Sequence, residues 1–172
     1  MTEGTEVTDV RYALGMSEIA TFAAGCFWGV EETFLTTPGV LSTAVGYCGG
    51  TLNDPTYEMV CTGTTGHAEA VQIEFDPSVI SYEALLKIFF ENHDPTTRNR
   101  QGPDIGDQYR SVIFYHTPEQ KVAAEKSKAA EESSGKYRNP IVTEIIPATI
   151  FWRAEEYHQK YFEKNGGGTC RV

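Results

Sequence analysis

The sequence predicts a mixed or partly parallel β-sheet with helices packed on it. Along the chain, apolar residues alternate between the two-residue spacing of strands and the three-to-four-residue spacing of helices. Near the N-terminus a strand, a helix and a second strand follow each other closely, which is the order of a βαβ unit. With 172 residues, 40% hydrophobic and 22% charged, the chain fits one domain over 1–172. The periodicity leaves the order of the strands open.

Cap and turn residues delimit these elements. Ser81 and Thr117 are predicted N-caps, and Gly135 is predicted to end the helix that follows Thr117. The predicted strands cover 18–24, 40–47, 67–75, 109–115 and 143–148. The predicted helices cover 27–35, 82–92, 118 to the stop at Gly135, and 154–164.

Two long loops and a tail complete the predicted architecture. The loops cover 47–66 and 92–108, and loops of this length inside a compact domain are often functional. Three consecutive glycines, 166–168, predict a flexible C-terminal tail that carries Cys170.

Composition excludes several classes of function. The net charge of −10 argues against a nucleic-acid-binding protein, which needs a basic face to neutralise phosphates. No apolar run approaches the roughly 18 residues of a membrane span. The first ten residues are acidic and polar, unlike a secretory signal, so we expect a cytoplasmic protein. The four cysteines include no C-x-x-C pair and the histidines lack ligand spacing, which argues against a metal site.

Cys26 is the first candidate for a reactive residue. It lies where a strand ends and a helix begins, between Gly25 and the helix 27–35, and a helix N-terminus favours a thiolate. The flanking glycines allow close approach to the sulfur. However, Glu31 and Glu32 oppose a thiolate, and a lone cysteine at such a junction is also typical of a buried structural thiol. Both interpretations stay open at this point.

Glu69 is the second candidate. Side chains of a strand alternate between its two faces, so Glu69 shares a face with Val71, Ile73 and Phe75. Burial on an apolar face raises the pKa of a carboxyl group and favours the neutral acid, which a general acid requires. The alternative is a glutamate at a strand end that reaches solvent.

The remaining candidates are two phenols and the other thiols. Tyr57 and Tyr109 lie in or beside the two long loops, where they are either neutral hydrogen-bond donors or ordinary packing residues. The glycine hinge gives Cys170 the freedom to reach another sulfur, or Cys170 is an incidental thiol in a disordered tail. Cys48 and Cys61 carry no distinct role.

Six segments carry a family resemblance. From about residue 18 to the C-terminus they are 25–29 (GCFWG), 46–50 (GYCGG), 66–71 (GHAEAV), 93–96 (HDPT), 100–111 (RQGPDIGDQYRS) and 157–161 (YHQKY). In this order they resemble the signature segments of the A-type peptide-methionine sulfoxide reductases. That resemblance implies an α+β fold, a two-layer sandwich of a mixed sheet and helices, with no metal or organic cofactor.

The resemblance also implies residue roles. Cys26 matches the nucleophile and Glu69 the acid that protonates the sulfoxide oxygen, while Cys170 resembles the resolving cysteine of the C-terminal tail. The residues that match substrate contacts are Tyr57 and Tyr109 for the oxygen, Phe27 and Trp28 for the S-methyl group, and Asp104 for the methionine backbone.

The implied reaction is the reduction of methionine-S-sulfoxide, free or in proteins, as a repair of oxidative damage. The attack leaves a sulfenic acid on Cys26, which condenses with a nearby thiol, here Cys170. Thioredoxin then reduces the disulfide by exchange. We expect a cytoplasmic monomer. Two alternatives remain: a Cys–His acyl-transfer enzyme, and a module that binds oxidised methionine without reducing it.

Overall fold

The computed structural model describes residues 17–166, which form a six-stranded mixed sheet, a separate two-stranded hairpin and several helices. The strands are β1 (Glu18–Ala24), β2 (Val40–Cys48), β3 (Ala68–Phe75), β4 (Arg100–Gln101), β5 (Asp104–Ile105), β6 (Ser111–Tyr115), β7 (Glu144–Pro147) and β8 (Trp152–Arg153). The α-helices are α1 (Phe27–Leu35), α2 (Tyr57–Cys61), α3 (Tyr82–Glu91), α4 (Pro118–Ser133) and α5 (Tyr161–Asn165). Short 3-10 turns lie at Asp107–Tyr109 and Glu156–His158.

The strand order in the sheet is β7-β6-β1-β3-β2-β8. Only the β6–β7 pair is parallel among the described strands, and the other neighbours are antiparallel. Because β1 and β2 are both antiparallel to β3, which lies between them, β1-α1-β2 is a split βαβ unit. The predicted α+β class with a mixed sheet is confirmed, and the strand order is what the sequence left open.

The main core lies between the sheet and the helices α1, α3 and α4. On β1, the ring of Phe22 packs against Phe34 of α1 at 5.4 Å and Phe89 of α3 at 5.1 Å between ring centroids. Aromatic pairs at these separations add to the stability gained by burial. A smaller cluster on the other face of the sheet includes Phe114 and packs against Phe151. The sheet therefore presents one large apolar face to a layer of helices.

The caps that the sequence predicts form as expected. The Ser81 hydroxyl accepts a hydrogen bond from the Ala84 N–H at 3.0 Å, and the Thr117 hydroxyl accepts one from the Gln120 N–H at 3.1 Å. These bonds satisfy backbone donors that the first helical turn leaves without a partner. Gly135 follows the end of α4 with φ +78°, the left-handed conformation typical of a helix stop.

The predicted helix over 154–164 is wrong. The chain forms a 3-10 turn at Glu156–His158 and resumes as α5 at Tyr161, and between them Lys160 is left-handed with φ 51°. Its backbone N–H donates to the Glu31 carboxylate of α1 at 2.6 Å. The Gln159 side chain meanwhile bonds to both N–H and C=O of Val45 on β2, each at 2.9 Å. Hydrogen bonds to α1 and β2 have thus replaced the helical hydrogen bonds of this segment. The spacing of apolar residues does not reveal such long-range bonds.

Both predicted loops contain regular structure. The first includes α2, which begins after Thr56, whose hydroxyl accepts from the Met59 N–H at 3.2 Å. The second includes the β4–β5 hairpin. The strand predicted to begin at Tyr109 begins at Ser111, because Tyr109 belongs to a 3-10 turn. Short elements of two to five residues are too brief to show a period.

Candidate active site

The two central strands bring Cys26 and Glu69 together. Cys26 follows the end of β1, and Glu69 lies on the neighbouring strand β3, where it pairs with Tyr47 of β2. Gly25 makes the turn between β1 and Cys26 with φ +97°, a conformation that favours glycine. A Cβ at Gly25 would lie only 2.7 Å from Cγ of the buried Gln101. The turn before Cys26 therefore requires glycine both for its backbone conformation and for the space beside Gln101.

Cys26 is the N-cap residue of the nine-residue helix α1 and is half-buried. Its carbonyl accepts the N–H of Val30 at 3.4 Å, which opens the helical ladder. The positive end of the helix dipole favours a negatively charged sulfur at this position. The site therefore combines partial solvent access with a field that favours the thiolate.

Glu69 is a buried acid beside the start of the same helix. Its side chain is 2% exposed, so a glutamate that reaches solvent is excluded. Val71, Ile73 and Phe75 belong to the main core on the helix side, which confirms the predicted strand face. One carboxyl oxygen, Oε1, accepts the Phe27 N–H at 3.2 Å. The acid is thus fixed next to the residue that follows Cys26.

Two phenols on different elements lie near Glu69. Tyr57 is the first residue of α2, and Tyr109 is the last residue of a 3-10 turn; both are half-buried. Burial raises the pKa of both hydroxyls, and the nearby Glu69 raises them further. Both phenols therefore stay protonated and can donate hydrogen bonds to a polar oxygen at neutral pH.

Phe27 and Trp28 follow Cys26 in the first turn of α1, and both rings pack against His158. Phe27 is buried at 1% exposure, and Trp28 is half-buried. The indole of Trp28 stacks on Tyr161 of α5, with 3.7 Å between ring centroids and 6° between planes. Its Nε1–H donates to Nδ1 of His158 at 2.9 Å. The orientation of Trp28 therefore depends on residues near the C-terminus.

The residues 155–161, named the 155–161 segment below, also support Tyr57. One carboxyl oxygen of Glu155 accepts the Tyr57 N–H at 2.9 Å, and the other accepts the Tyr47 hydroxyl at 2.8 Å. Burial opposes ionisation of Glu155, yet these two bonds hold its pKa below the usual range. Glu155 and His158 were not predicted from the sequence. The YHQKY motif includes His158, but no sequence pattern marked Glu155.

A cleft of about 800 Å³ reaches Cys26 along α1. Its lining includes Val30 and Phe34 of α1, Phe89 of α3, the cationic Lys136 and Arg138, and Asp104. Glu69, the two phenols, Phe27 and Trp28 do not line it. Cys26 and Asp104 therefore border the cleft, whereas the other candidate residues lie outside its lining. Asp104 also contributes to the raised pKa of Tyr109, which indicates that the two lie close together.

Comparison with known proteins decides the family. The family model described as peptide methionine sulfoxide reductase matches residues 18–172. The chain belongs to this family. The peptide methionine sulfoxide reductase MsrA of Methanoculleus marisnigri is 66% identical over 155 residues, which cover 90% of this chain and 94% of the relative.

Solved structures of the family have the same fold. Mxr1 of Saccharomyces cerevisiae in reduced form matches with a TM-score of 0.84 and 39% identity, covering 91% of this chain and 90% of that one. Mxr1 in complex with Trx2 matches with a TM-score of 0.61 and 28% identity, covering 91% and 88%. The fold predicted from the family resemblance is therefore confirmed.

In this member of the reductase family, the other cysteines differ in environment. Cys48 is buried, which raises the pKa of its thiol, and its Sγ lies 3.5 Å from the Thr149 hydroxyl. Cys61 is exposed on α2, and partial burial raises the pKa of its thiol. All three cysteines within 17–166 are thiols. Cys170, the predicted resolving residue, lies outside the described residues.

Neither His93 nor His67 fits a Cys–His acyl-transfer site. His93 borders the cleft with Cys26, but Nδ1 faces the Phe89 carbonyl at 2.6 Å and Nε2 the Ser111 hydroxyl at 2.7 Å. Burial lowers the pKa of His93 to about 4. A ring with both nitrogens engaged and little basicity is a poor partner for a nucleophile. His67 likewise bonds through both nitrogens, to the Gly50 N–H and the Leu52 carbonyl.

Residues 17–166 contain no helix that is both long and apolar enough to cross a membrane. The same residues contain no cluster of three histidine, cysteine or carboxylate side chains suited to a metal ion.

Proposed function

We propose that the protein reduces methionine-S-sulfoxide, free and in proteins, to methionine. The observation that carries this proposal is the pairing of Cys26 at the start of α1 with the buried Glu69, which bonds to the next backbone N–H. A thiol nucleophile beside a buried acid suits a reaction in which an oxygen must be protonated. Membership of the peptide methionine sulfoxide reductase family agrees with it.

The reaction consumes one thiolate and one proton. The Cys26 sulfur attacks the sulfoxide sulfur, and Glu69 delivers the proton to the sulfoxide oxygen. The oxygen ends on Cys26 as a sulfenic acid, and methionine leaves as the thioether. Because Oε1 of Glu69 accepts the Phe27 N–H, the proton is assigned to Oε2. This sulfur chemistry requires no metal and no organic cofactor.

The surrounding residues bind the substrate. Tyr57 and Tyr109 remain protonated and donate hydrogen bonds to the sulfoxide oxygen. Phe27 and Trp28 enclose the S-methyl group, because an aromatic surface suits a polarisable thioether. Asp104 contacts the backbone of the methionine residue. The preference for the S epimer follows from the family resemblance.

The sulfenic acid is resolved by Cys170. Condensation of its thiol with the sulfenic acid releases water and leaves a Cys26–Cys170 disulfide. The three glycines before Cys170 favour the necessary approach, and α5, which precedes them, packs against α1. Thioredoxin then reduces the disulfide by exchange, as the complex of the related Mxr1 with Trx2 supports. We expect a single-domain, cytoplasmic monomer that repairs oxidised proteins.

A single-turnover experiment tests the proposal. The reduced protein receives one equivalent of a peptide with methionine-S-sulfoxide, and mass spectrometry follows peptide and protein. We expect methionine and a Cys26–Cys170 disulfide. An unchanged number of thiols would leave only binding, and turnover of activated esters without sulfoxide reduction would support acyl transfer.

Cys170→Ser tests the resolving step separately. The variant should complete a single turnover but should lose recycling by thioredoxin, since the sulfenic acid has no partner. Cys48→Ser, at a buried thiol with no proposed role, is the matched control. Normal thioredoxin-linked turnover of Cys170→Ser would transfer the resolving role to Cys61 or Cys48.

A further inference from the structure

We propose that the cleft along α1 binds the residues that flank an oxidised methionine in a protein, and that it favours an apolar side chain among them. This inference rests on the proposed function, because the cleft begins at Cys26, where the oxidised methionine is attacked. The proposed reaction itself leaves the cleft unused. The residues assigned to the sulfoxide oxygen and to the S-methyl group lie outside its lining.

Helix α1 separates the two parts of the site. Trp28 and Glu31 face the 155–161 segment, which contacts both side chains. The residues of α1 and its N-cap that line the cleft follow the spacing of one helical face, and they are Cys26, Gly29, Val30, Thr33 and Phe34. Because Cys26 precedes the helix, it borders both parts. A peptide held at this sulfur can therefore continue along the cleft.

The cleft has room for several residues of a peptide. Its volume of about 800 Å³ lies within the range of pockets that hold whole small molecules. Its wall on α1 runs from Cys26 to Phe34, a stretch of helix that spans about 12 Å. An extended peptide covers that length with about three or four residues, at about 3.3 Å each. The cleft therefore fits the sequence neighbours of the methionine, and free methionine sulfoxide does not extend into it.

The floor of the cleft is apolar. Ala24, Phe34 and Phe89 line it and are each at most 7% exposed. The half-buried Val30 adds an aliphatic side chain. Contact between such a surface and an apolar side chain is favourable, roughly in proportion to the area that both remove from water. A leucine of the substrate therefore gains binding free energy here that a serine does not.

The polar side chains beside this floor are engaged within the protein. Gln101 accepts the Asp94 N–H at 2.8 Å and donates to the Asp94 carbonyl at 2.9 Å. The Thr33 hydroxyl donates to the Gly29 carbonyl at 3.1 Å. Both ring nitrogens of His93 are bonded as well. These groups therefore leave a polar side chain of the substrate few hydrogen-bond partners.

The charges of the cleft carry both signs. The charged residues of its lining are Glu91, Asp94, Asp104, Lys136 and Arg138. Lys136 is already paired with Glu131 at 3.4 Å. The Asp94 carboxylate accepts both the N–H and the hydroxyl of Thr96. Charges of opposite sign around one opening counteract each other's attraction for a charged ligand. The cleft therefore selects by apolar contact rather than by charge.

Peptide kinetics test the proposal. In a background of glycine and serine, a leucine or a serine occupies each of the three positions before and after methionine-S-sulfoxide in turn. We expect leucine to lower the KM about five- to tenfold relative to serine at one or more positions on one side of the methionine. This is less than complete burial of a leucine would give, because the cleft is open. A leucine-to-serine KM ratio within about twofold at every position would overturn the proposal.

Two variants locate the preference. Thr33→Trp fills the cleft and should remove the difference between leucine and serine peptides. Glu32→Trp, at the next residue of α1 but outside the lining, is the matched control and should retain it. The KM ratio of two peptides on one variant is insensitive to a change in the chemical step. A leucine preference that persists in Thr33→Trp would exclude the cleft.

Cross-linking tests the location without turnover. Cys26→Ser receives the leucine peptides with a photoreactive diazirine analogue in place of leucine, and mass spectrometry maps the products. We expect cross-links to the cleft lining, among them Val30, Thr33 and Phe89. Cross-links only to other residues, or none, would refute the proposal. Reduction of free methionine sulfoxide by the parent tests the proposed function separately: reduction without a leucine preference would overturn the peptide cleft alone, and cross-links in the cleft without any reduction would overturn the reductase activity alone.

Discussion

The two halves of the candidate site are built differently. The sheet half, Cys26 and Glu69, is set by the hydrogen-bonded register of β1 and β3 and by one backbone bond from Phe27. The segment half, Trp28 and Tyr57, is oriented by side chains of the 155–161 segment, which has little regular structure. The positions of the reacting residues are thus set by the backbone hydrogen bonds between two strands. The positions of the substrate-binding residues depend instead on single side-chain hydrogen bonds. Changes in the first half should act on kcat and changes in the second on KM.

Cys26→Ser gives the largest expected effect. A serine hydroxyl is far less nucleophilic than a thiolate, so kcat/KM for methionine sulfoxide should fall by at least about four orders of magnitude. The measurement is methionine release with a chemical dithiol as reductant. Cys61→Ser, at an exposed thiol outside the sheet half, should retain reduction. Substantial activity of Cys26→Ser would show that Cys26 is not the nucleophile.

Glu69→Gln should lower kcat by about 10²–10⁴-fold, because the amide still accepts the Phe27 N–H but supplies no acidic proton. Single-turnover kinetics with saturating peptide measure this step. Glu74→Gln, on the same strand but the opposite face, is the control and should match the parent. If Glu69→Gln changed mainly KM, Glu69 would bind the substrate rather than supply the proton. The proposed division into a half that sets kcat and a half that sets KM would then be wrong.

Glu155→Leu tests the segment half. A leucine side chain accepts no hydrogen bond, so the Tyr57 N–H and the Tyr47 hydroxyl both lose their acceptor. We expect KM to rise about tenfold or more with kcat changed less, since two hydrogen bonds are lost. Glu156→Leu, on the same turn but at a residue bonded to the surface residues Arg153 and Lys164, should leave KM unchanged. Equal effects of the two substitutions would contradict a specific role of Glu155.

Glu31→Leu should have the smallest effect on catalysis but a measurable effect on stability. Glu31 is 1% exposed and accepts the Lys160 N–H and the Thr43 hydroxyl, so a leucine leaves both buried donors without their acceptor. The free energy of unfolding should fall by about 1–3 kcal/mol. Urea denaturation measures it, with Glu32→Leu as the control on the next residue. An unchanged midpoint would show that Glu31 does not anchor the 155–161 segment.

The sheet half was accessible from sequence, because its signals are local. The bounds of β1 and α1 follow from apolar spacing and the glycines around Cys26, and simple alternation assigned Glu69 to its buried face. The segment half was not accessible from spacing. Trp28 and His158 are 130 residues apart, and the bonds of Gln159 and Lys160 that break the predicted helix end on β2 and α1. Such pairings depend on the strand order, which periodicity leaves open.

The bond from the Phe27 N–H to Glu69 couples helix formation to proton supply. The amide belongs to the first turn of α1, the part of a helix that frays most easily, and its partner is the acid itself. Opening of that turn would weaken the dipole at Cys26 and break the bond to the Glu69 carboxyl in one event. The hydrogen-exchange rate of the Phe27 amide therefore reports how often Cys26 and Glu69 lose their arrangement together. That frequency sets an upper limit on the fraction of the enzyme that is active.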